Sequence, residues 1–208
     1  MIVSLAAALA TMALTQQAKA SGGTGSDHGY FWSLYYNGGS ASITFPDAGS
    51  YAGNFAMSWN NCSDVIGGKG WSSGSAQTIG FNVGSLSGRY NNVSIYGWTT
   101  SPLVEYYIGE MGSVANGTSK GSVSSDGHSY TTYEHQQVNQ PSIIGTATFE
   151  QYLDNWGGAS VGANNTVTCA NHFNHWKSLG MSMGSFNYQI LAVEDYSGGS
   201  GSINATVW

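Results

Sequence analysis

The segment SPLVEYYIGEMG, Ser101 to Gly112, decides the fold of this chain because its residues divide cleanly between the two faces of a strand. Successive side chains of a strand point to opposite faces, so Glu105 and Tyr107 share one face while Val104 and Ile108 share the other. The aliphatic face predicts packing against a core. The face that carries Glu105 predicts a surface lined by a carboxylate and by tyrosine.

A second segment, FNYQILAVEDY, divides in the same way. Tyr188 and Glu194 fall on one face of the predicted strand, and Leu191 and Val193 fall on the other. If both glutamate faces lie on the concave side of one curved sheet, Glu105 and Glu194 meet across a groove lined by aromatic residues.

Further short segments of strand character follow one another from Tyr30 onward, separated by Gly, Asn, Ser and Asp. This density of strands indicates an all-β sandwich or β-jelly roll, with two curved, packed antiparallel sheets that form a cleft. The segment ANHFNHWKSLGMSMG differs, because Phe173, Trp176 and Leu179 recur at helical spacing and Gly180 is a candidate C-terminal cap. We therefore expect one short α-helix packed on a sheet.

The first twenty residues, MIVSLAAALATMALTQQAKA, contain a short apolar run that ends in Ala-Lys-Ala, the small-x-small pattern of a signal-peptidase site. We expect residues 1–20 to be a signal peptide and residues 21–208 to form a single domain. No later segment approaches a transmembrane length. These features predict a secreted, extracellular protein without membrane contact.

The composition favours a neutral polar ligand. Five Lys plus Arg against eleven Asp plus Glu give a formal net charge of −6, which argues against nucleic acid as a partner. Thirteen Tyr and seven Trp supply faces that stack on sugar rings without needing charge. His172 and His175 lie three residues apart, but no acid or cysteine cluster completes a metal site, so neither a metal nor a cofactor is expected.

Two further features leave their outcome open. Cys62 and Cys169 could form one disulfide after export, but the sequence cannot show whether their Cα atoms come close enough. Asn-x-Ser/Thr sequons, which are compatible with a glycosylated secreted protein, begin at Asn61, Asn92, Asn116, Asn164 and Asn204.

Two carboxylates in an aromatic groove are what glycoside hydrolysis requires. One is kept protonated to assist the leaving oxygen, and the other is ionised and attacks or stabilises the oxocarbenium-like transition state. Two glutamates among eleven acids are weak support by themselves. A partly buried Glu105 satisfied by a neighbouring hydroxyl explains the pattern equally well.

Five segments together carry a resemblance to a known family. They are YGWTTSPLVEYYIGE (Tyr96 to Glu110), VNQPSIIGTATFEQY (Val138 to Tyr152), ANHFNHWKSLGM (Ala170 to Met181), NYQILAVEDY (Asn187 to Tyr196) and GGKGW (Gly67 to Trp71). In this order and spacing the chain resembles glycoside hydrolase family 11, the compact endo-1,4-β-xylanases. The resemblance implies a jelly roll likened to a half-closed right hand, which cuts xylan internally with retention of configuration. It also implies a monomer.

The resemblance assigns roles by matching positions. Glu105 would be the nucleophile and Glu194 the general acid, then base, protonated in the free enzyme partly because ionised Glu105 lies nearby. The segment PSIIG, Pro141 to Gly145, matches the tip of a loop that closes over the sugar chain, called here the thumb tip. The residues implied to bind substrate are Tyr35, Tyr96, Trp98, Tyr107, Pro141, Ser142, Gln151 and Tyr188.

Asp64 matches a position beside the acid/base at which family members carry Asn or Asp. In this family Asp there accompanies an acidic pH optimum. An Asp64 hydrogen-bonded to Glu194 would share a proton with it, so that activity would follow the macroscopic pKa values of the pair. We therefore expect a pH optimum below neutrality.

The chain also departs from the family pattern. Gln137 stands where many relatives have Arg, Tyr35 stands where a stacking Trp is usual, and LDNWGGASVG replaces a Trp-Ser-Val-Arg-Gln-like run. These changes leave room for another reading, a carbohydrate-binding or host-recognised protein on the same fold with weak or lost activity. A β-glucanase on a related jelly roll is a further alternative, although the Glu-x-Asp-x-Glu arrangement expected there is absent around Glu105.

Overall fold

A computed structural model describes residues 21–47 and 49–208. The predicted signal peptide, residues 1–20, lies outside the described residues. The described chain folds into fourteen strands and one helix. They are β1 (Ser21–Asp27), β2 (Tyr30–Asn37), β3 (Ser40–Thr44), β4 (Asn54–Cys62), β5 (Asp64–Trp71), β6 (Thr78–Gly88), β7 (Asn92–Thr100), β8 (Val104–Gly112), β9 (Thr118–Ser125), β10 (His128–Ser142), β11 (Gly145–Asn155), β12 (Asn164–Thr168), α1 (Cys169–Ser178), β13 (Ser185–Asp195) and β14 (Gly199–Val207).

The strands form two sheets, which confirms the predicted jelly roll. Sheet A has the order β1-β2-β5-β13-β7-β8-β11-β10-β9, and sheet B has the order β12-β6-β14-β4-β3. One detail of the prediction was wrong, because β8 and β11 pair in parallel and sheet A is therefore not purely antiparallel. The chain leaves β8 for β9 at the edge of the sheet and returns through the antiparallel pairs β9–β10 and β10–β11, and the returning β11 runs in the direction of β8.

The main core lies between the sheets, as strand parity predicts. Val104 and Ile108 of β8 and Leu191 and Val193 of β13 are completely or almost completely buried there. Glu105 points to the opposite face of sheet A. The hydrophobic effect thus fixes the direction of the catalytic candidates, because turning β8 over would expose its aliphatic face.

The GGKGW segment lets β5 fit between β2 and β13. A Cβ on Gly68 would lie 1.8 Å from the carbonyl oxygen of Leu191, so only glycine allows this close approach. The Lys69 side chain is fully buried and donates to Asp27 at 2.7 Å, with its ammonium 4.4 Å from the Phe45 ring centroid. This ion pair ties the edge strand β1 to the sheet.

Helix α1 packs on the core through a buried face that includes Phe173, Trp176 and His172. The predicted cap is confirmed, because Gly180 has φ +79° and the amide of Met181 donates to the carbonyl of Trp176 across the helix end. His172 is a core histidine whose Nδ1 lies 2.7 Å from Asp154.

The structure also describes the cysteines, two sequon asparagines, and the features relevant to membranes and metals. Cys62 and Cys169 are buried thiols that do not pair. Of the sequon asparagines, Asn92 is almost completely buried and Asn116 is exposed. Among residues 21–47 and 49–208, no helix is long and apolar enough to cross a membrane. The same residues contain no cluster of three or more His, Cys, Asp or Glu side chains suited to a metal.

Candidate active site

The concave face of sheet A encloses a cavity of about 830 Å³ that is open to solvent. Strands β2, β5, β13, β7, β8 and β11 form its floor, and the β10–β11 hairpin forms one wall. The structure brings together every site residue predicted from the sequence. Those lining the cavity are Tyr35, Asp64, Tyr96, Trp98, Glu105, Tyr107, Pro141, Ser142, Gln151, Tyr188 and Glu194.

Glu105 lies on the cavity floor with three hydrogen-bond donors around its carboxylate. The Tyr96 hydroxyl donates to Oε1 at 2.7 Å, and the Gln151 amide donates to Oε2 at 2.7 Å. The Tyr107 hydroxyl lies 3.2 Å from Oε1. This set of donors stabilises the ionised form and fixes the plane of the carboxylate, as a nucleophile requires.

Glu194 faces Glu105 from β13, and the Tyr107 hydroxyl lies between them, 3.1 Å from Glu194 Oε1. The two Oε1 atoms are therefore less than about 6.5 Å apart, closer than the carboxyl groups of inverting glycosidases. A hydroxyl has only one proton to donate. When Tyr107 donates to ionised Glu105, a protonated Glu194 can donate its own proton to the tyrosine oxygen.

Burial and hydrogen bonding affect the pKa values of the two carboxyl groups differently. Burial raises the pKa of Glu105, while the donors Tyr96, Gln151 and Tyr107 oppose that rise. Burial, and then the charge of Glu105, raise the pKa of Glu194 to about 8. A pair in which one member stays ionised while the other holds its proton is the arrangement of a nucleophile and a general acid.

Asp64 lies at the end of β5 in the same cavity, but its predicted contact is wrong. Among the hydrogen bonds of the described residues, none joins Asp64 to Glu194, whose carboxylate is bound by Asn92 and Tyr107 instead. Burial and the charge of Asp195 raise the pKa of Asp64 to about 6. Asp64 therefore couples to Glu194 through its charge and not through a shared hydrogen bond.

Aromatic side chains cover the floor between the glutamates and β2. The rings of Tyr96 and Tyr107 lie 4.8 Å apart, and Tyr188 packs on Phe31 at 5.3 Å. Trp98 is buried against Phe149, and its indole N–H donates to the Tyr96 hydroxyl at 2.7 Å. Its geometry is that of a support for Tyr96, with little of its ring open to a ligand.

The thumb tip closes the β10–β11 hairpin above the cavity. Ser142 Oγ donates to the Gly145 carbonyl at 2.5 Å and accepts the Ile144 amide at 3.2 Å, so the turn is held by its own serine. Gly145 has φ +96°, which favours glycine there. Pro141 and Ser142 line the cavity while Ile144 is exposed.

Gln137 shows how the chain accommodates a departure from the family pattern. It lines the cavity, and its amide donates to Gln151 Oε1 at 3.3 Å. The amide nitrogen of Gln151 in turn donates to Glu105. A neutral side chain therefore supports the nucleophile through Gln151, and it adds no positive charge to the site.

Sequence reasoning missed Asn92. Its side-chain amide donates to Glu194 Oε2 at 2.7 Å, and Ser94 Oγ donates to its carbonyl oxygen at 2.7 Å. Parity places Asn92 on the same face of β7 as Tyr96, a signal that was available. The pairing of Asn92 with Glu194 across β7 and β13 depends on strand register, which the sequence does not show.

Comparison with known proteins assigns the chain to a family. The family model of glycosyl hydrolases family 11 matches residues 27–206. The chain belongs to this family.

Its similarity to individual members is high. The chain is 46% identical over 200 residues to endo-1,4-beta-xylanase 2 of Rhizopus oryzae. The aligned region covers 93% of this chain and 89% of that protein. It is 47% identical to the ethylene-inducing xylanase of Penicillium digitatum, with 88% and 84% covered. A solved endo-1,4-β-xylanase structure from Trichoderma reesei superimposes with a TM-score of 0.73 at 41% identity, covering 90% of this chain and 99% of that one.

Proposed function

We propose that this member of glycosyl hydrolases family 11 is an endo-1,4-β-xylanase that cleaves internal bonds of xylan with retention of configuration. The observation that carries the proposal is the Tyr107 hydroxyl, which contacts Glu105 and Glu194 at 3.2 and 3.1 Å. Carboxyl groups that share one hydroxyl partner suit double displacement better than inversion, in which a water molecule must fit between the sugar and the second carboxylate.

In the first step Glu105 Oε attacks the anomeric carbon while Glu194 gives its proton to the leaving glycosidic oxygen. The anomeric C–O bond breaks, a covalent xylosyl-enzyme forms at Glu105, and Glu194 is left ionised. The donors Tyr96 and Gln151 hold the Glu105 carboxylate in one orientation, which reduces the entropy lost when it attacks.

In the second step a water molecule takes the place of the departed sugar. Ionised Glu194 removes a proton from this water as its oxygen attacks the anomeric carbon, and the ester bond to Glu105 breaks. The charge of Glu105 helps to raise the pKa of Glu194. While Glu105 is esterified this charge is absent, and the pKa of Glu194 is therefore lower. Glu194 can therefore act as a base in this step, and it regains its proton when Glu105 is released.

The cavity suits a neutral polysaccharide. Tyr188 and Tyr35 line the cavity and offer rings on which xylose can stack, and the thumb tip lines the same cavity. The chain has few basic side chains, which an acidic polymer would need. We further propose secretion after removal of residues 1–20 and action as a monomer, as the sequence predicts.

The test is to incubate the protein separately with xylan and with carboxymethylcellulose. Xylo-oligosaccharides are expected from xylan, with the β-anomer as the first product by proton NMR. Binding to xylan without cleavage would favour the carbohydrate-binding alternative, and cleavage of carboxymethylcellulose alone would favour a glucanase. A first product of the α-configuration would contradict the retaining mechanism.

The pH dependence is a further prediction, and it concerns Asp64. Its carboxyl group, with a pKa near 6, is neutral in acid, and its charge above that pH raises the pKa of Glu194. A lower pKa makes Glu194 a better proton donor, so we expect the optimum below neutrality, where Asp64 is protonated.

Asp64→Asn keeps this neighbour neutral at every pH, so the optimum is expected to move upward, toward the pKa of Glu194. The measurement is kcat/KM on xylan against pH for both proteins. A downward shift would show that Asp64 merely raises the pKa values of Glu105 and Glu194 together. An unchanged optimum would remove Asp64 from the explanation.

A further inference from the structure

One polar contact of the cavity lies outside the roles that the family resemblance supplied. Asn92 is almost completely buried at the start of β7, directly opposite Glu194 in the pairing of β7 with β13. Its amide nitrogen lies 2.7 Å from Glu194 Oε2. Glu194 Oε1 is contacted by Tyr107, so the two side chains together occupy both oxygens of the carboxyl group.

Ser94 is the second hydrogen-bond partner of the Asn92 amide. The serine hydroxyl lies 2.7 Å from Asn92 Oδ1, and both side chains are buried on the same face of β7. Since that hydroxyl donates to the carbonyl oxygen, the NH₂ group is the end that faces Glu194. Ser94 thus supplies a donor to the amide oxygen in the orientation in which the NH₂ group donates to Glu194.

We propose that Asn92 is a positioning residue for the acid/base, and that its amide favours the ionised form of Glu194 and so sets the pH at which the general acid is lost. The inference rests on the proposed role of Glu194. The side chains that surround Glu194 are Glu105 and Tyr107 on β8, Asp64 on β5, Asn92 on β7, and Tyr196 just after β13, whose own pKa is raised by burial and by the charge of Glu194. Unlike the others, Asn92 does not titrate, so it donates to Glu194 at every pH.

The same contact gives a role to a sequence feature that was otherwise unexplained. Asn92-Val93-Ser94 is a glycosylation sequon by pattern, yet its Asn and Ser are both buried and bonded to each other. A glycan on Asn92 would replace one amide hydrogen and could not fit beside Glu194. Asn116 also begins a sequon and lines the cavity, but it is exposed.

The direction of the effect follows from the donor. An N–H that donates to a carboxylate stabilises the ionised form, and Asn92 accordingly lowers the pKa of Glu194 against the larger effect of burial. Removing the donor should raise that pKa by about one unit, the size expected for one hydrogen bond to a charged group. In the Asp64→Asn protein, where this neighbour no longer titrates near pH 6, the basic limb of the kcat/KM profile reports the Glu194 pKa in the free enzyme, so the limb is compared in that background.

The experiment uses Asn92→Leu, which has a similar volume and no donor, and Asn92→Asp, which keeps the shape and replaces the donor with a carboxyl group. All proteins are made in a host that does not glycosylate asparagine. The pKa of Glu194 is measured by ¹³C NMR titration, and kcat/KM on xylan is measured against pH. Asn116→Leu serves as the control for the Glu194 titration.

We expect the Glu194 pKa and the basic limb to rise by about one unit in Asn92→Leu and by more in Asn92→Asp, where two carboxyl groups couple. Asn116→Leu should leave the titration where it is. Should Asn92→Leu not fold, Asn92→Ala, which also lacks the donor and adds no carboxyl group, takes its place in the test. A folded Asn92 variant with an unshifted Glu194 titration would overturn the inference. A shifted titration in a protein that does not cleave xylan would contradict the proposed function and leave the inference standing.

Discussion

Glu105→Ala is expected to lower kcat/KM on xylan by at least about 10⁴-fold, because no other group can form the covalent intermediate. Glu105 is 8% exposed on the cavity floor, and among the described residues its donors Tyr96 and Gln151 bond to no other carboxylate. The measurement is the rate of release of reducing sugar from xylan at the pH optimum of the unsubstituted protein. Circular dichroism of both proteins checks that the fold is retained.

The role of Glu105 is separated from a merely electrostatic one by adding azide. The Ala variant leaves space beside the anomeric carbon, where the small anion can attack an aryl xylobioside that has a good leaving group. Because azide then attacks from the side that Glu105 occupied, the expected product is the α-xylosyl azide. A variant that keeps more than a hundredth of the activity, or that gives the β-azide, would contradict the assignment.

Glu110 provides a matched control on the same strand. It lies outside the cavity, is almost completely buried, and accepts a hydrogen bond from Tyr130 at 2.9 Å. Burial raises the pKa of Glu110 to about 8, so its carboxyl group is mostly neutral at the pH of the assay. Glu110→Gln preserves both size and charge and should leave kcat/KM within a few fold.

The faces of the strands could be predicted from the sequence because burial and parity act locally. Val104 and Ile108 enter the core, and Glu105 therefore enters the cavity, as the alternation in β8 requires. The same argument correctly placed Glu194 on the face opposite Leu191. What parity could not supply was the order of the strands, so the parallel pairing of β8 with β11 was missed.

Contacts between strands were the least predictable part of the site. The resemblance placed Asp64 in the cavity, but a hydrogen bond depends on register and side-chain direction to within about an ångström. In the structure Asn92, not Asp64, reaches Glu194. Glu110 was left without a role for a similar reason, since it is the extra residue of a bulge between β7 and β8 and its partner Tyr130 comes from β10.

The contact between His172 and Asp154 is another contact that the sequence could not predict. Its removal is expected to have the largest effect on stability. Helical spacing shows that His172 shares a face with Phe173 and Trp176, but the partner of its imidazole lies on β11. Nδ1 of His172 lies 2.7 Å from Asp154 Oδ2, and Thr132 donates to Oδ1 at 2.5 Å. All three side chains are fully buried.

Asp154→Ala is expected to lower the free energy of unfolding by about 3 kcal/mol or more, because it leaves the imidazole nitrogen and the threonine hydroxyl buried without their acceptor. For a chain of this size such a loss corresponds to a fall in Tm of roughly 6–12 °C. The free energy is measured by urea unfolding and Tm by calorimetry. Asn174→Ala, on the exposed face of the same helix, is the control and should change stability by less than about 0.5 kcal/mol.

Asp154 lies on the core face of sheet A and does not line the cavity, so the effect should be confined to stability. At a temperature well below the Tm of the variant, kcat/KM on xylan is expected to stay within about two- to threefold of the unsubstituted protein, since Glu105 and Glu194 keep their donors. A loss of less than about 1 kcal/mol would mean that neighbouring groups or water replace the carboxylate. A large loss of activity without a loss of stability would mean that α1 and β11 act on the cavity, contrary to the packing described.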